Sequence, residues 1–430
     1  MLTDFPSFKA RGMSNKFDVV IVGGGIIGLS CAHYLQKDGA RVLVIDRGRY
    51  TEAASTGNAG MIVPSHIIPL SAPGVIANGI KWLMNPESPL YIKPSTDRHF
   101  MKWLWLFQKH CTPAHVRYAA PILRDLSLSS SELLTEICAL PGFADVGLRH
   151  DGLLMLHNSD KTARANEELA DMAQEAGLEV DRLDREGTLE VEPALKTQIS
   201  GSVFFRQDTS IHPELLLRAL ETHVRAGGVE IRDGEVTSMN ASGRAVSSVT
   251  ADGEEIRADH FVLAAGSWTP HLTRSLGLNL PVQPAKGYSV TVPLENCDSD
   301  ADAPRFKIPC VVTDEKLTIT PMPGCIRFGG TLALEGFDSS IDERRVRPIR
   351  RQAALYCSNV DDIQTWSGFR PASPDGLPYI GSLPKAGNVF VATGHGMMGV
   401  THGPITGRLV AEMIAGRTPS LNAEPFRANR

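Results

Sequence analysis

Gly23, Gly25 and Gly28 stand in the spacing G-x-G-x-x-G, and a carboxylate, Asp46, follows 21 residues after Gly25. Each part suits the binding of a dinucleotide. One glycine makes a tight turn, one lets the backbone approach a pyrophosphate, and one lets a helix pack closely on a strand. The phosphates then rest on free N–H groups at the positive end of a helix dipole. Asp46 stands where a carboxylate accepts both hydroxyls of an adenosine ribose and repels a 2′-phosphate. Two further glycine features repeat the theme: Gly266 ends an apolar run, and GHGMMG (Gly394 to Gly399) precedes an apolar helical stretch.

Elements that could hold these residues are readable around them. Val19 to Val22 is a branched apolar run, as in a buried strand; an Ala/Leu helix follows the glycines, and a second strand, Arg41 to Ile45, ends at Asp46. Thr51 to Pro64 is small, polar and punctuated by glycine, a loop able to press amides against a ligand. In the helical segment His99 to His110, Trp103, Trp105, Leu106 and Phe107 suit core packing, with a lid or a membrane-dipping face as alternatives. Pro121 to Leu140 and Ala163 to Gly177 read as amphipathic helices covering a sheet. A helix is expected at His212 to Ala226, stopped by Gly227 and Gly228, with strands at Glu230 to Met239, Val246 to Ala251 and Phe261 to Ala265. Asn279 to Phe337 alternates as antiparallel strands do, and Val389 to Ala392 is a final strand leading to GHGMMG and a helix through Ile414. The nucleotide-binding pattern therefore occurs three times, implying one domain built from residues 15–95, 201–280 and 362–430. Residues 96–200 and 281–361 would form a second domain.

Composition narrows the class. A chain of 430 residues, 42% hydrophobic, can bury sizeable cores, and a net charge of −5 offers no basic surface for nucleic acid. Seven scattered cysteines without a C-x-x-C pair read as reduced thiols rather than as a disulfide framework or metal site. No apolar run reaches about 18 residues, and the residues before Phe17 lack the apolar core of a signal peptide. A cytoplasmic protein is expected, with peripheral contact to the inner face of a membrane left open.

Six blocks in order closely resemble the D-amino acid oxidase (DAO) superfamily of flavoenzymes, and within it the bacterial D-amino acid dehydrogenases. They are Gly23 to Gly28 with Asp46; ASTGNAG (Ala54 to Gly60) with APGVIANGIKW (Ala72 to Trp82); VLAAGSW (Val262 to Trp268); AKGYSVTVP (Ala285 to Pro293); WSGFRPASPDGLPYIG (Trp366 to Gly381); and GHGMMG. The resemblance implies an α/β plus α+β fold, in which a discontinuous Rossmann-type FAD-binding domain accompanies a substrate domain on a mostly antiparallel sheet. It implies FAD contacts from Gly23, Gly25, Ile26, Ile27 and Gly28 at the pyrophosphate, and from Asp46 with Arg47 at the ribose. Ser55, Thr56, Asn58, Ala59, Gly60 and Met61 would run along the pyrophosphate and isoalloxazine, and backbone near Val236 would meet adenine. Ala265, Gly266 and Trp268 belong to the same set. Gly396, Met397, Met398, Gly399, Val400 and Thr401 would stand beside the flavin N1–C2=O edge, where a helix dipole favours the reduced state.

By the same resemblance, Arg370 pairs with the α-carboxylate of an amino acid, a role that suits a planar guanidinium with two parallel donors. The alternative is a structural ion pair with Asp375. Tyr288, His395 and His66 are the other candidate active-site residues, with core packing as the competing reading. Related sarcosine oxidases carry a lysine in the block where this chain has Met398, and Cys310 and Cys325 lie in no flavin-linking motif, so noncovalent FAD is expected. The implied reaction is oxidation of a small amino acid at its Cα–N bond by hydride transfer to flavin, giving an imine that hydrolyses to a keto acid and ammonia or an amine. D-amino acids, including D-proline and hydroxyproline types, are the leading class. N-substituted glycines such as sarcosine or iminodiacetate are the alternative, a non-catalytic flavoprotein the distant one, and oxygen or a quinone the electron acceptor.

Overall fold

Strand Phe17–Val22 alternates no polar residue after Asp18, because both of its faces are covered. In the computed structural model, which describes residues 16–48, 53–75, 90–297 and 306–430, it pairs in parallel with Val42–Asp46 on one side and Glu254–Leu263 on the other. Glu230–Asp233 extends the sheet beyond Val42–Asp46, and Ala386–Thr393 pairs in parallel with Glu254–Leu263. Val236–Ser242 and Ala245–Ala251 add an antiparallel edge, and Tyr379–Leu383 pairs antiparallel with Ala386–Thr393, making eight strands. Strands from residues 17–46, 230–263 and 379–393 thus share one sheet.

Helix Ile26–Lys37 covers this sheet, and the C-terminal helix Gly399–Ile414 lies on it. Two glycines make that layering feasible. A Cβ on Gly28 would fall 1.8 Å from the Gly23 carbonyl oxygen, and one on Gly407 would fall 2.4 Å from the Ser30 backbone. Helix Pro213–Ala226 packs on the same first helix, with His212 as its N-cap.

The second sheet has nine strands and is mostly antiparallel. At one end of it, Gln283–Pro293 lies between the edge strand Thr365–Ala372 and Cys325–Leu334. Two assignments shift. Gly201–Phe205 and Thr365–Ala372, which sequence placed with the nucleotide-binding pieces, are hydrogen-bonded into this sheet instead. The strand Gly201–Phe205 pairs with Leu153–His157 and Val180–Asp184, two five-residue strands that sequence reading did not separate from the helices around them.

Other expectations are corrected by packing. One helix runs Pro113–Cys138, capped by Thr112, and continues through Pro121, because a single lost backbone bond does not outweigh its buried face. It lies on the C-terminal helix rather than on a sheet, whereas Asp160–Glu175 does cover the second sheet. The aromatic helix Arg98–His110 divides its residues: Phe100, Trp103 and Phe107 are buried, while Trp105 is 53% exposed with the Lys109 ammonium over its ring. Two of the seven cysteines are not thiols. Cys297 and Cys357 face each other across a β-bridge, with Cα atoms 3.9 Å apart, and form a disulfide; no local motif signals a pair 60 residues apart. Part of the Ala72 to Trp82 block lies outside the described residues. No described helix is long and apolar enough to cross a membrane.

Candidate active site between the two sheets

Two cavities share a wall where the sheets adjoin. The longer is lined at one end by Gly23, Gly25, Ile26, Ile27, Asp46, Arg47, Glu235 and Val236, and at the other by Trp366, Phe369, Arg370, His395 and Met397. The smaller is lined mainly by His66, Ile68, Pro69, Leu70, Leu123, Ala285, Leu332 and Met398. Arg370, His395, Gly396 and Met397 line both.

At the first end, the Asp46 carboxylate accepts the Gly24 N–H at 2.6 Å and the Gly48 N–H at 3.0 Å. Two acceptances leave lone pairs free on a carboxylate that offers about four. Arg47 lies over the Trp268 ring at 4.3 Å. The Ser55 hydroxyl accepts the Ile26 N–H at 3.0 Å.

The helix ends separate this cavity from the rest of the molecule. Asp97, Thr112, Ser159, Asp184, His212 and Asp342 cap the helices that begin elsewhere through their side chains. Helices Ile26–Lys37, Thr269–Ser275 and Gly399–Ile414 begin at the cavities and have no side-chain cap; Gly25, Trp268 and Met398 stand at their N-cap positions. None has an acidic residue in its first turn. The orphan N–H groups of the described helices are thus concentrated where an anionic ligand would find them. This donor set, and a lining that runs from Asp46 to Arg370, fit FAD.

At the far end, the strand Thr365–Ala372 presents Trp366, Gly368 and Arg370 on one face, by the two-residue period of a strand. Arg370 crosses the neighbouring strand at Gly287, where a Cβ would lie 2.0 Å from a guanidinium nitrogen. Its Nη1–H donates to the Thr331 carbonyl at 3.0 Å. No carboxylate among the described residues pairs with it. Asp375 instead accepts two bonds from Arg430, at 2.7 and 3.0 Å, so the structural ion pair considered from sequence belongs to a different arginine. Burial pulls the Arg370 pKa down to about 10, which leaves it charged at neutral pH. Trp103 donates its indole N–H to the Ala372 carbonyl at 2.9 Å and so holds this strand from behind.

His395 lies within hydrogen-bond reach of Thr406 Oγ1, at 2.9 Å, while its Nδ1 has no partner. Burial and neighbouring His402 hold it well below its usual pKa, and hence neutral. His66 lines the smaller cavity. Tyr288 is not brought to the site. It follows Gly287, so its side chain takes the opposite face of the strand and is 1% exposed in the core of the second sheet.

Of the expected cofactor positions, Ser55, Asn58, Val236, Ala265, Gly266, Trp268, Gly396, Met397, Gly399 and Val400 also line the longer cavity. Thr56, Ala59, Gly60, Met61 and Thr401 line neither. They belong to the support: Arg327 donates to the Thr56 and Asn58 carbonyls at 2.8 Å, and Thr401 Oγ1 bonds Met61 O at 3.3 Å. Gly28 acts through packing. Sequence reading missed Glu235, His271, Trp366, Phe369 and Thr393 as lining residues. Only Trp366 and Phe369 carried a signal, since they share the block with Arg370.

Neither Cys310 nor Cys325 lines either cavity. The match to known proteins covers nearly the whole chain. The DAO family model, described as FAD dependent oxidoreductase, matches residues 18–413. Glycine oxidase from Geobacillus kaustophilus is similar at 25% identity and a TM-score of 0.76, over 97% of this chain and 99% of that one. Iminodiacetate oxidase from Chelativorans sp. BNC1 shares the fold at 21% identity and a TM-score of 0.69, over 95% and 98% of the two chains. L-proline dehydrogenase from P. horikoshii does so at 18% identity and 0.71, over 97% and 98%. Two sheets, two adjoining cavities and a family model spanning both sheets lead to one assignment: the chain belongs to the DAO family of FAD dependent oxidoreductases.

Proposed function

We propose that this enzyme oxidises a small amino acid at its Cα–N bond, with the substrate carboxylate held by Arg370 and its side chain in the smaller cavity. The observation that carries the reading is a charged guanidinium on the common wall of two cavities, with only a backbone carbonyl for a partner among the described residues. A buried cation lacking a counter-ion is costly, and an incoming carboxylate removes that cost. Bound FAD supplies the electron acceptor, taking two electrons with the Cα hydrogen as hydride.

The protein's own groups do the rest. Arg370 fixes the carboxylate by two parallel bonds, which aims Cα. Gly23, Gly25, Asp46 and the uncapped ends of the first and last helices would hold the cofactor, noncovalently. His395, kept neutral, adds no charge beside the substrate nitrogen.

Ile68, Pro69, Leu70, Leu123 and Leu332 make the smaller cavity apolar. That lining favours a small aliphatic or cyclic side chain, as in D-alanine or the D-proline and hydroxyproline types, with D-configuration resting on the motif resemblance. Sarcosine is the second reading, supported by the similarity to glycine oxidase. Iminodiacetate is disfavoured, because its second carboxylate would meet leucine and proline with no second cation among the described lining residues. The test is an anaerobic bleaching screen of the yellow holoprotein across D-amino acids, D-proline analogues and N-substituted glycines. Rapid loss of flavin absorbance with apolar D-amino acids is expected. No bleaching by any of them would remove the proposal.

A further inference from the structure

Resting on that reading, we propose that Asp208, Ser65 and His66 form a proton relay that takes the ammonium proton of the substrate before oxidation. Asp208 is fully buried just before the short strand Thr209–Ser210, which pairs with Met61–Ile62 and so brings the chain at Ser65 and His66 beside it. Its Oδ1 accepts the Ser65 N–H at 3.0 Å, and its Oδ2 accepts the Ser65 hydroxyl at 2.5 Å. Ser65 Oγ stands 3.2 Å from His66 Nδ1. His66 lines the smaller cavity alongside Arg370, and its Nε2 has no hydrogen-bond partner among the described residues. The serine sits between the acid and the histidine, so the set is built to conduct a proton rather than to activate a nucleophile.

The transfer balances without leaving a new charge. The substrate ammonium gives a proton to His66 Nε2; the Nδ1 proton passes to Ser65 Oγ; the serine proton passes to the Asp208 carboxylate. A cationic ammonium and an anionic carboxylate become a neutral amine and a neutral carboxyl, and His66 only exchanges tautomers. Burial favours this outcome at both ends: it holds His66 down at about 4, opposing an imidazolium, and pushes Asp208 up to about 7. No charged group contributes to the Asp208 shift, and the other titratable side chains lining the cavity are Arg370, which stays cationic, and His395, which stays neutral.

The experiment is anaerobic stopped-flow reduction of the holoenzyme by D-proline as a function of pH. Wild type is expected to lose rate as pH falls through about 7, where Asp208 becomes protonated and cannot accept. In Asp208→Asn and in Ser65→Ala, reduction at pH 7 should fall about 100-fold, a usual scale for lost general-base help, and recover at high pH as free amine accumulates. Equal losses at every pH, or no loss, would overturn the relay. Nitrogen-15 NMR of the His66 ring without substrate gives a second readout that needs no turnover. The relay requires the neutral Nδ1–H tautomer, weakened in Ser65→Ala; an Nε2–H ring in wild type would overturn it. If no amino acid reduces the wild-type flavin at any pH, the oxidation reading fails, while the tautomer result still judges the hydrogen-bonded chain.

Discussion

The two ends of the long cavity are built on opposite principles. At the Gly23–Asp46 end, the acid already has partners: two backbone N–H groups fall on Asp46, and Arg47 rests on Trp268. At the Arg370 end, charges have no counter-charge among the described residues. Arg370 has one carbonyl, and Asp208, fully buried behind His66, has one serine and its backbone. The first end has its charged side chains partnered within the fold, and leaves open only carboxylate lone pairs and the N–H groups of an uncapped helix. The second holds charged groups that keep few partners within the fold, which is why the proposed substrate is placed there. The difference teaches that substitutions at the two ends should separate binding of the cofactor from chemistry.

The sharpest way to break this comparison is Arg370→Ala. Truncating one partner of a buried charge pair costs roughly 2–5 kcal/mol, so flavin reduction per unit substrate should fall by about two to four orders of magnitude. FAD content should be unchanged. Arg370→Lys should recover only part of the loss, because an ammonium lacks the two-pronged geometry. Normal reduction kinetics in Arg370→Ala would place the carboxylate elsewhere.

Asp208→Asn should act on stability with the opposite sign. The folded-state pKa of Asp208 is raised, so native protein binds more protons than unfolded protein between the ordinary carboxyl value of 3.8 and about 7. Wild type therefore loses stability as pH rises through that window. The asparagine variant escapes the loss and should be roughly 2–4 kcal/mol more stable at pH 8, with the gap closing towards pH 4. Thermal melts at the two pH values read this directly, and a destabilised variant at pH 8 would show that the carboxylate is not strained.

The nucleotide end should answer in cofactor retention. Asp46→Ala should weaken FAD binding by roughly 1–3 kcal/mol, the cost of a lost charge-assisted acceptor, and heat or acid should release FAD from wild type. Flavin remaining on the denatured chain would rule out noncovalent binding, and an unchanged dissociation constant would take Asp46 off the ribose. The smallest effect is expected for Ser55→Ala. Among the described residues its hydroxyl accepts only the Ile26 N–H, so dissociation measurements should show roughly 0.5–1.5 kcal/mol.

The chain's local chemistry determined the nucleotide end. Gly23 to Gly28, the strand before them and Asp46 lie within 30 residues, and the turn, helix start and acid follow from backbone sterics and hydrogen bonding over that short reach. The strands Phe261 to Leu263 and Val389 to Ala392 were legible for the same reason, since each leads into a glycine turn of its own, and both share a sheet with Phe17–Val22. The substrate end was not. Arg370 was visible as a residue type within a recognisable block, but its freedom from Asp375 depends on Arg430, 55 residues beyond that aspartate. Tyr288 looked equivalent to its neighbours until strand parity turned it to the core. Asp208 and Ser65 lie 143 positions apart and carry no motif; only the pairing of Met61–Ile62 with Thr209–Ser210 brings them together. Cys297 and Cys357 meet by the same kind of long-range closure. Sequence determines what short stretches of backbone can bind, whereas burial and counter-charge are properties of the space between distant segments, and those only the tertiary structure decided.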